Sequence, residues 1–507
     1  MVYNSAVTGK KDTPLFLPHL AEWILLLVSL GFAASYLLVG VARVAYPYDL
    51  DFIEDDMVLQ AWRLAQNQPV FVPPNADFVP QVYMPLYTWL GSLLLRQTGV
   101  ALWPLRLLSL LSTLLTAVLL TLIAHKLQPS RLVALSCAAL FLAGYRLTGG
   151  WYELARVDPL FGLLVLAGMT TAVYKHQTRW GLVATGVLLG LALLTKQNGL
   201  FAAVVVGGYL LWQRPRQVWL YGLAFVLVAV PPLLYLEQST GGWFSYYVVD
   251  IAYASPVELV RVWPVVRREF LGGMGVLLLL AGLTAVWQVQ RNWRALFQSP
   301  WLLFMATAVF VSLAGRTSVG GNLNNLMLGL CLLCLAPALL AGEWPQRRDG
   351  QMGRWLFVTA VCAQFLLLRF PPVPYAPQQF LPSAAMRAQG EALVGYLTAV
   401  DGEVLVMLHP YYALLAGKEP GVHVQSLWHG RQRGQQPLPP DLVSRIQQQQ
   451  YAVIISDQSL YFETEPALLA LLEQYYQPEP LDPTLSPPTL SGLVTRPLLI
   501  YKPKPPS

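Results

Sequence analysis

Five carboxylates, Asp49, Asp51, Glu54, Asp55 and Asp56, fall within eight residues directly after the first apolar segment of this chain. Grouped carboxylates can take a proton from an attacking hydroxyl, or hold a divalent cation such as Mg2+ or Mn2+ through their oxygens. No motif separates those uses, so the cofactor is open at this level. The five are not equivalent. Met57, Val58, Ala61, Trp62 and Ala65 predict an amphipathic helix from Glu54 to about Gln68 that lies on a membrane surface. Glu54, Asp55 and Asp56 then occupy its first turn, where a carboxylate stabilises the helix dipole by about 0.3–1 kcal/mol. That role accounts for Asp56 and competes with chemistry at Asp55. Asp49 is expected to be solvated. Asp51 precedes the helix, gains less from the dipole, and is the better candidate for a base held by loop geometry.

Three cations could complement these acids. Arg156 precedes Asp158-Pro159, which reads as an Asp N-cap followed by Pro at the first helical position. Asp158 is thus expected to be structural, while Arg156 is left to pair locally with Glu153 or Asp158 or to bind an anion. Lys196 precedes Asn198-Gly199, where a lysine can satisfy the last helix carbonyls. It is also the only lysine in the predicted outer loops of the membrane half. Arg316 opens a glycine-rich loop, Gly315 to Asn322, whose amides can converge on an anion or form a plain turn.

The elements that must position these groups are mostly membrane helices. The chain has 507 residues, of which 55% are hydrophobic and 12% charged, with mean hydropathy +0.49, too apolar and too long for one soluble core. About eleven spans are read, near 19–42, 104–124, 131–147, 158–174, 180–195, 199–212, 218–236, 270–287, 301–315, 323–341 and 355–369. A shorter run at 83–98 reads as a juxtamembrane helix. The first span is longer than a signal-peptide core and is read as an anchor.

With a cytoplasmic N-terminus, the inside loops carry Lys10, Lys11, Lys126, Arg131, Lys175, Arg179, Arg214, Arg216, Arg291, Arg294, Arg347, Arg348 and Arg354. That is the positive-inside pattern. The first outer loop, 43–103, then carries the acidic run on the extracytoplasmic side of a plasma (inner) membrane. The net charge of +6 is a topology signal spread over loops, not a nucleic-acid patch. Cys137, Cys331, Cys334 and Cys362 lie inside spans. The CxxC pair among them has no companion ligand and reads as buried apolar side chains. Aromatic residues of the loop Glu237 to Glu269 read as an interface belt.

Residues 1–369 thus form a membrane domain. Pro371, Pro372, Pro374 and Pro377 mark a linker at 370–382, and residues 383–507 form a small extracytoplasmic α/β domain. Strands are expected at 403–408, 451–456 and 498–501, and helices near 383–399, 440–449 and 464–475.

Several motifs together resemble a known family. They are the acidic run, Ala61 to Val70 in an A-x-R-L-A-x-x-x-P-V pattern, Tyr83-Met84-Pro85-Leu86-Tyr87, Tyr152 to Asp158, Leu194 to Gly199, and Gly315 to Asn325. In order and sidedness they resemble the GT-C membrane glycosyltransferases, above all the family 39-like group related to protein mannosyltransferases. The resemblance implies a transfer of a sugar from a polyprenyl-phosphate carrier to a lipid, glycan or protein acceptor, with inversion at the anomeric carbon. It implies Asp51 or Glu54 as base, with Asp55 a third contender because Asp-x-x-Glu-Asp stands where relatives often have Asp-x-x-Glu-Gly. It places Arg156, Lys196 and Arg316 around the carrier phosphate, with Tyr83 and Asn322 on the substrate. A transporter or flippase is the alternative, but it requires ionisable groups near the bilayer midplane, and the spans are almost free of them. A sensor built around the C-terminal domain would not need the outer-face constellation.

Overall fold

The computed structural model describes residues 16–254, 256–291, 300–343, 350–369, 376–457 and 465–505. Lys10, Lys11, Arg294, Arg347, Arg348 and the linker residues Pro371, Pro372 and Pro374 lie outside the described residues, as does the side chain of Arg354. All eleven apolar segments fold as helices. Among the described residues, seven helical stretches are long and apolar enough to cross a membrane: Leu20–Val44, Trp103–Leu127, Val157–Lys175, Val218–Ser239, Leu259–Arg291, Pro300–Thr317 and Leu323–Glu343. The other four, Arg131–Ala143, Arg179–Thr195, Gly199–Gln213 and Trp355–Arg369, are shorter. The stretch from Leu259 begins well before the expected 270 and absorbs a π-helical turn, Val266–Leu271, a local widening that is rare in regular helices.

Small residues set how closely these helices pack. Gly186 and Gly190 lie one turn apart on Arg179–Thr195 and face Val218–Ser239. A methyl group at Gly186 would run into the backbone carbonyl of Tyr221, and one at Gly190 would meet Val228 Cγ1 at 3.0 Å. In a bilayer such approach of backbones replaces the hydrophobic drive available in water. Gly186→Leu is therefore expected to separate the two helices, at a cost of about 1–3 kcal/mol for overpacking. The check is a lowered thermal midpoint in detergent, with Gly208→Leu, where no atom lies within 4 Å of the added carbon, as the control.

The first outer loop departs from its expected position. Its helix, Phe52–Ala65, forms where predicted, but every residue from Phe52 to Ala61 is buried. It does not lie on a membrane surface. The reason is a shared core: Phe52, Met57 and Val58 pack in one cluster with Leu405, Met407, Tyr411, Val424 and Leu427 of the C-terminal half. The juxtamembrane segment forms Leu86–Thr98.

The C-terminal half builds a four-stranded sheet from β1 (Glu403–Val406), β2 (Tyr451–Ser456), β3 (Tyr476–Pro480) and β4 (Leu499–Pro503), in the order β1-β2-β4-β3. β1 and β2 are parallel, and β4 runs antiparallel to β2 and β3. β3 was not expected. It carries Pro478 and Pro480, and its place at the sheet edge is where strand prolines are tolerated. The expected helices appear as Ala384–Ala399, Pro440–Gln447 and Pro466–Tyr475, joined by two unexpected short ones, Pro410–Leu415 and Val424–Gln432.

Candidate active site

The ends of the helices that lead into or out of the predicted outer loops converge on one cavity of about 440 Å³. Of the residues singled out above, Asp51, Tyr83, Arg156, Lys196 and Asn322 line it, with Gly315, Gly320 and Gly321 of the glycine-rich loop. Asp51 sits just before its helix in an extended conformation and makes no capping bond, so its carboxylate is available to the cavity. Arg156 Nη1 donates to Asp51 Oδ2 at 2.7 Å, and Asp51 Oδ1 is buried without a hydrogen-bond partner. Burial pushes the Asp51 carboxyl up to about 6 against the opposing pull of Arg156. That makes it a stronger base than an ordinary aspartate, yet one still ionised near neutrality.

Arg156 is held from behind. Gly149 and Gly150 adopt φ of 92° and 77°, a left-handed conformation that glycine takes readily. The turn presents Trp151, whose ring centroid lies 4.9 Å from the Arg156 guanidinium carbon. Asp158 is not an N-cap: the helix begins at Val157. Its carboxylate instead accepts from Lys196 Nζ at 2.7 Å and from Asn324 Nδ2 at 3.1 and 3.0 Å, and lies 3.9 Å from Arg156 Nε. Lys196 also donates to Asn325 Oδ1 at 3.3 Å. Asn198-Gly199, read as a helix stop, starts the next helix. An Asp51–Arg156–Asp158–Lys196 chain of alternating charge thus runs along the cavity wall.

The other predicted residues turn elsewhere. Glu54 is fully buried, and its carboxylate accepts from Arg106 Nε at 2.8 Å, Arg106 Nη2 at 2.7 Å, Leu50 N–H at 3.0 Å and Ala155 N–H at 2.7 Å. Those four donors leave it saturated and away from the cavity lining. Arg316 makes a two-pronged pair with Glu269 at 2.9 and 2.7 Å and donates to the Gly321 carbonyl at 3.0 Å. It fastens the glycine-rich loop and does not line the cavity. Asp55 faces the C-terminal half, where its Oδ2 accepts from Tyr411 N–H at 3.3 Å. Burial, then the neighbouring Asp49 charge, raises its carboxyl well above the usual range.

Asp49 and Asp56 do not behave as surface groups either. Asp49 is 3% exposed and pairs with His409. Asp56 accepts from Ser426 Oγ at 2.5 Å, and burial pushes its carboxyl up to about 7.

Several lining residues escaped the sequence reading. The helix Val424–Gln432 contributes Gln425 and His429, and Arg433 follows it. Gln425 Oε1 accepts from Gln81 Nε2 at 3.2 Å, which ties this helix to the first loop. Burial, reinforced by Arg433, holds His429 well below the usual histidine range, so it is a neutral imidazole, and its Nδ1 has no partner. No local spacing signalled these residues, because the elements bearing them meet the loop only through tertiary packing. The charged lining residues are Asp51, Arg156, Lys196 and Arg433, with Asp158 behind them against Lys196, so three cations stand against two carboxylates, a balance suited to an anion.

The fold has known relatives. Residues 82–247 match the family described as dolichyl-phosphate-mannose-protein mannosyltransferase. Among solved structures, ArnT from Cupriavidus metallidurans in the apo state is similar at TM-score 0.60 and 13% identity, over 94% of this chain and 98% of that one. The same protein bound to undecaprenyl phosphate is similar at TM-score 0.59 and 12% identity, over 92% and 97%. The apo oligosaccharyltransferase of Archaeoglobus fulgidus is similar at TM-score 0.51 and 11% identity, over 92% of this chain and 73% of that one. No curated protein sequence matches. This chain therefore has the fold of the GT-C membrane glycosyltransferases, and its segment 82–247 carries the sequence pattern of the protein mannosyltransferases among them.

Proposed function

We propose that this protein is an inverting glycosyltransferase that takes a sugar from a polyprenyl-phosphate carrier and passes it to an acceptor on the extracytoplasmic side of the plasma (inner) membrane. The observation that carries the reading is the placement of Asp51 beside Arg156 and Lys196 in one electropositive cavity at the helix ends. A carboxylate base and cations for a phosphate are the two things the reaction needs. The acceptor hydroxyl attacks the anomeric carbon from the face opposite the phosphate and gives its proton to Asp51. The bond from that carbon to the phosphate oxygen breaks, and its electron pair leaves with the carrier phosphate, which needs no proton because Arg156 and Lys196 stabilise its charge. The match to a structure that binds undecaprenyl phosphate supports a carrier of that chemical class. The carboxylates outside the cavity have other partners, so Asp51 is the base preferred over Glu54 and Asp55. Arg316 acts on the phosphate only by holding the glycine-rich loop.

Mass analysis of cells lacking the protein tests the reading. The expected result is accumulation of one polyprenyl-phosphate sugar with loss of that sugar from an envelope lipid, glycan or protein. Complementation with Arg156→Met should leave the accumulation in place, whereas Arg316→Lys, which keeps a cation opposite Glu269, should largely clear it. Unchanged pools of carrier-linked sugars and unchanged envelope glycans would overturn the proposal.

A further inference from the structure

The carboxylates that turn away from the cavity meet a histidine from the other half of the chain. Asp49 Oδ2 lies 2.5 Å from His409 Nδ1, and His409 Nε2 lies 3.0 Å from Asp457 Oδ2. Asp55 joins them: one donor atom from each of Asp49, Asp55 and His409 lies within 4.8 Å of the other two. All three are closed off from solvent, at 3%, 0% and 1% exposure. Asp55 Oδ1 is buried there without a hydrogen-bond partner. Three carboxylates thus surround a single imidazole, and Asp49 and Asp55 bring two carboxylates to it on the Nδ1 side. Buried charge of that kind calls for a further cation or for protonation.

We propose that Asp49, Asp55 and His409 bind one divalent transition-metal ion, Zn2+ being the best match to the donor set. A neutral imidazole suits zinc, whereas Mg2+ favours oxygen ligands and retains several waters, which this closed site has little room to supply. The His409 orientation fits this use. With Nε2–H donating to Asp457, the Nδ1 lone pair points to the Asp49 side, giving the carboxylate–histidine–metal arrangement that fixes ligand tautomers. Without the ion, a proton lies between Nδ1 and Asp49 Oδ2; the ion takes its place as that proton leaves to solvent, and the unpartnered Asp55 Oδ1 adds a further oxygen to the donor set.

None of the three ligands lines the sugar-transfer cavity. The ion is therefore a clamp. It fastens the two ends of the acidic run, on either side of Asp51 and Glu54, to the residue between β1 and the helix Pro410–Leu415. This also gives Asp55 a role other than base.

Elemental analysis of the full-length protein, purified without chelator and freed of any affinity tag, decides the matter without reference to sugar transfer. The expectation is about one Zn2+ per chain, lost in Asp55→Asn and in His409→Gln. Asp457→Asn should still bind but about 10–100-fold more weakly. Chelator-treated wild-type protein should unfold at a lower temperature and recover on addition of Zn2+ but not of Mg2+. The wild-type measurements stand even where a variant fails to fold. Metal-free wild-type protein whose melting temperature does not respond to Zn2+ would overturn the proposal. So would bound metal that survives both Asp55→Asn and Asp49→Asn.

Discussion

Asp51→Asn is expected to slow sugar transfer about 10²–10⁴-fold, the usual contribution of a positioned general base, while the protein stays folded. The substitution keeps the side-chain volume but removes both the ability to accept a proton and the charge that pairs with Arg156. Arg156 remains supported by Asp158 at 3.9 Å and by the Trp151 ring, so donor binding should change far less than turnover. Initial rates in proteoliposomes, at varied concentrations of the donor, separate the two. A variant that turns over at the wild-type rate would remove Asp51 from the mechanism.

Glu54→Gln should fail for a different reason. Glu54 and Arg106 are both fully buried and share two short bonds, and Arg106 also donates to the carbonyls of Arg43, Tyr46 and Tyr48 at 2.9, 2.6 and 2.7 Å. The guanidinium therefore pins the chain leading into the acidic run, and Glu54 neutralises it. Breaking a buried pair by removing one partner costs about 3–5 kcal/mol, because the remaining charge has no compensation. The expected outcome is a marked drop in thermal midpoint and in yield of folded protein, with activity lost in proportion. A Glu54→Gln protein as stable as wild type yet inactive would reverse the assignment and make Glu54 the base.

The contrast between these two carboxylates shows where sequence reasoning reached and where it stopped. Apolar length and periodicity act locally, so each expected span became a helix, the apolar run at 451–456 became a strand, and that at 403–408 became one over Glu403–Val406. The positions of Asp51, Arg156 and Lys196 were legible because each lies at a helix end, and the ends of consecutive spans must share a side. Which carboxylate faces the cavity was not legible. That depends on Arg106, in the first turn of another helix, and on Tyr411 and Ser426, more than 350 residues away along the chain. Asp49 looked solvated for the same reason: its partner, His409, has no signal in local spacing. Arg316 looked free because its partner, Glu269, sits on a separate helical stretch.

The carbonyl of Leu50, the residue just before Asp51, accepts the backbone N–H groups of both Leu490 and Ser491 at 3.0 Å. Arg43 reaches the same segment through Ser491 Oγ at 2.5 Å. The segment leading into Asp51 is thus gripped by residues that leave the ribosome some 440 positions later. The membrane helices can insert in order as they emerge, but the geometry around Asp51 cannot settle until Leu490 and Ser491 have been made and have reached the Leu50 carbonyl. A chain made only as far as the membrane helices would hold Asp51, Arg156 and Lys196 without this fixed alignment.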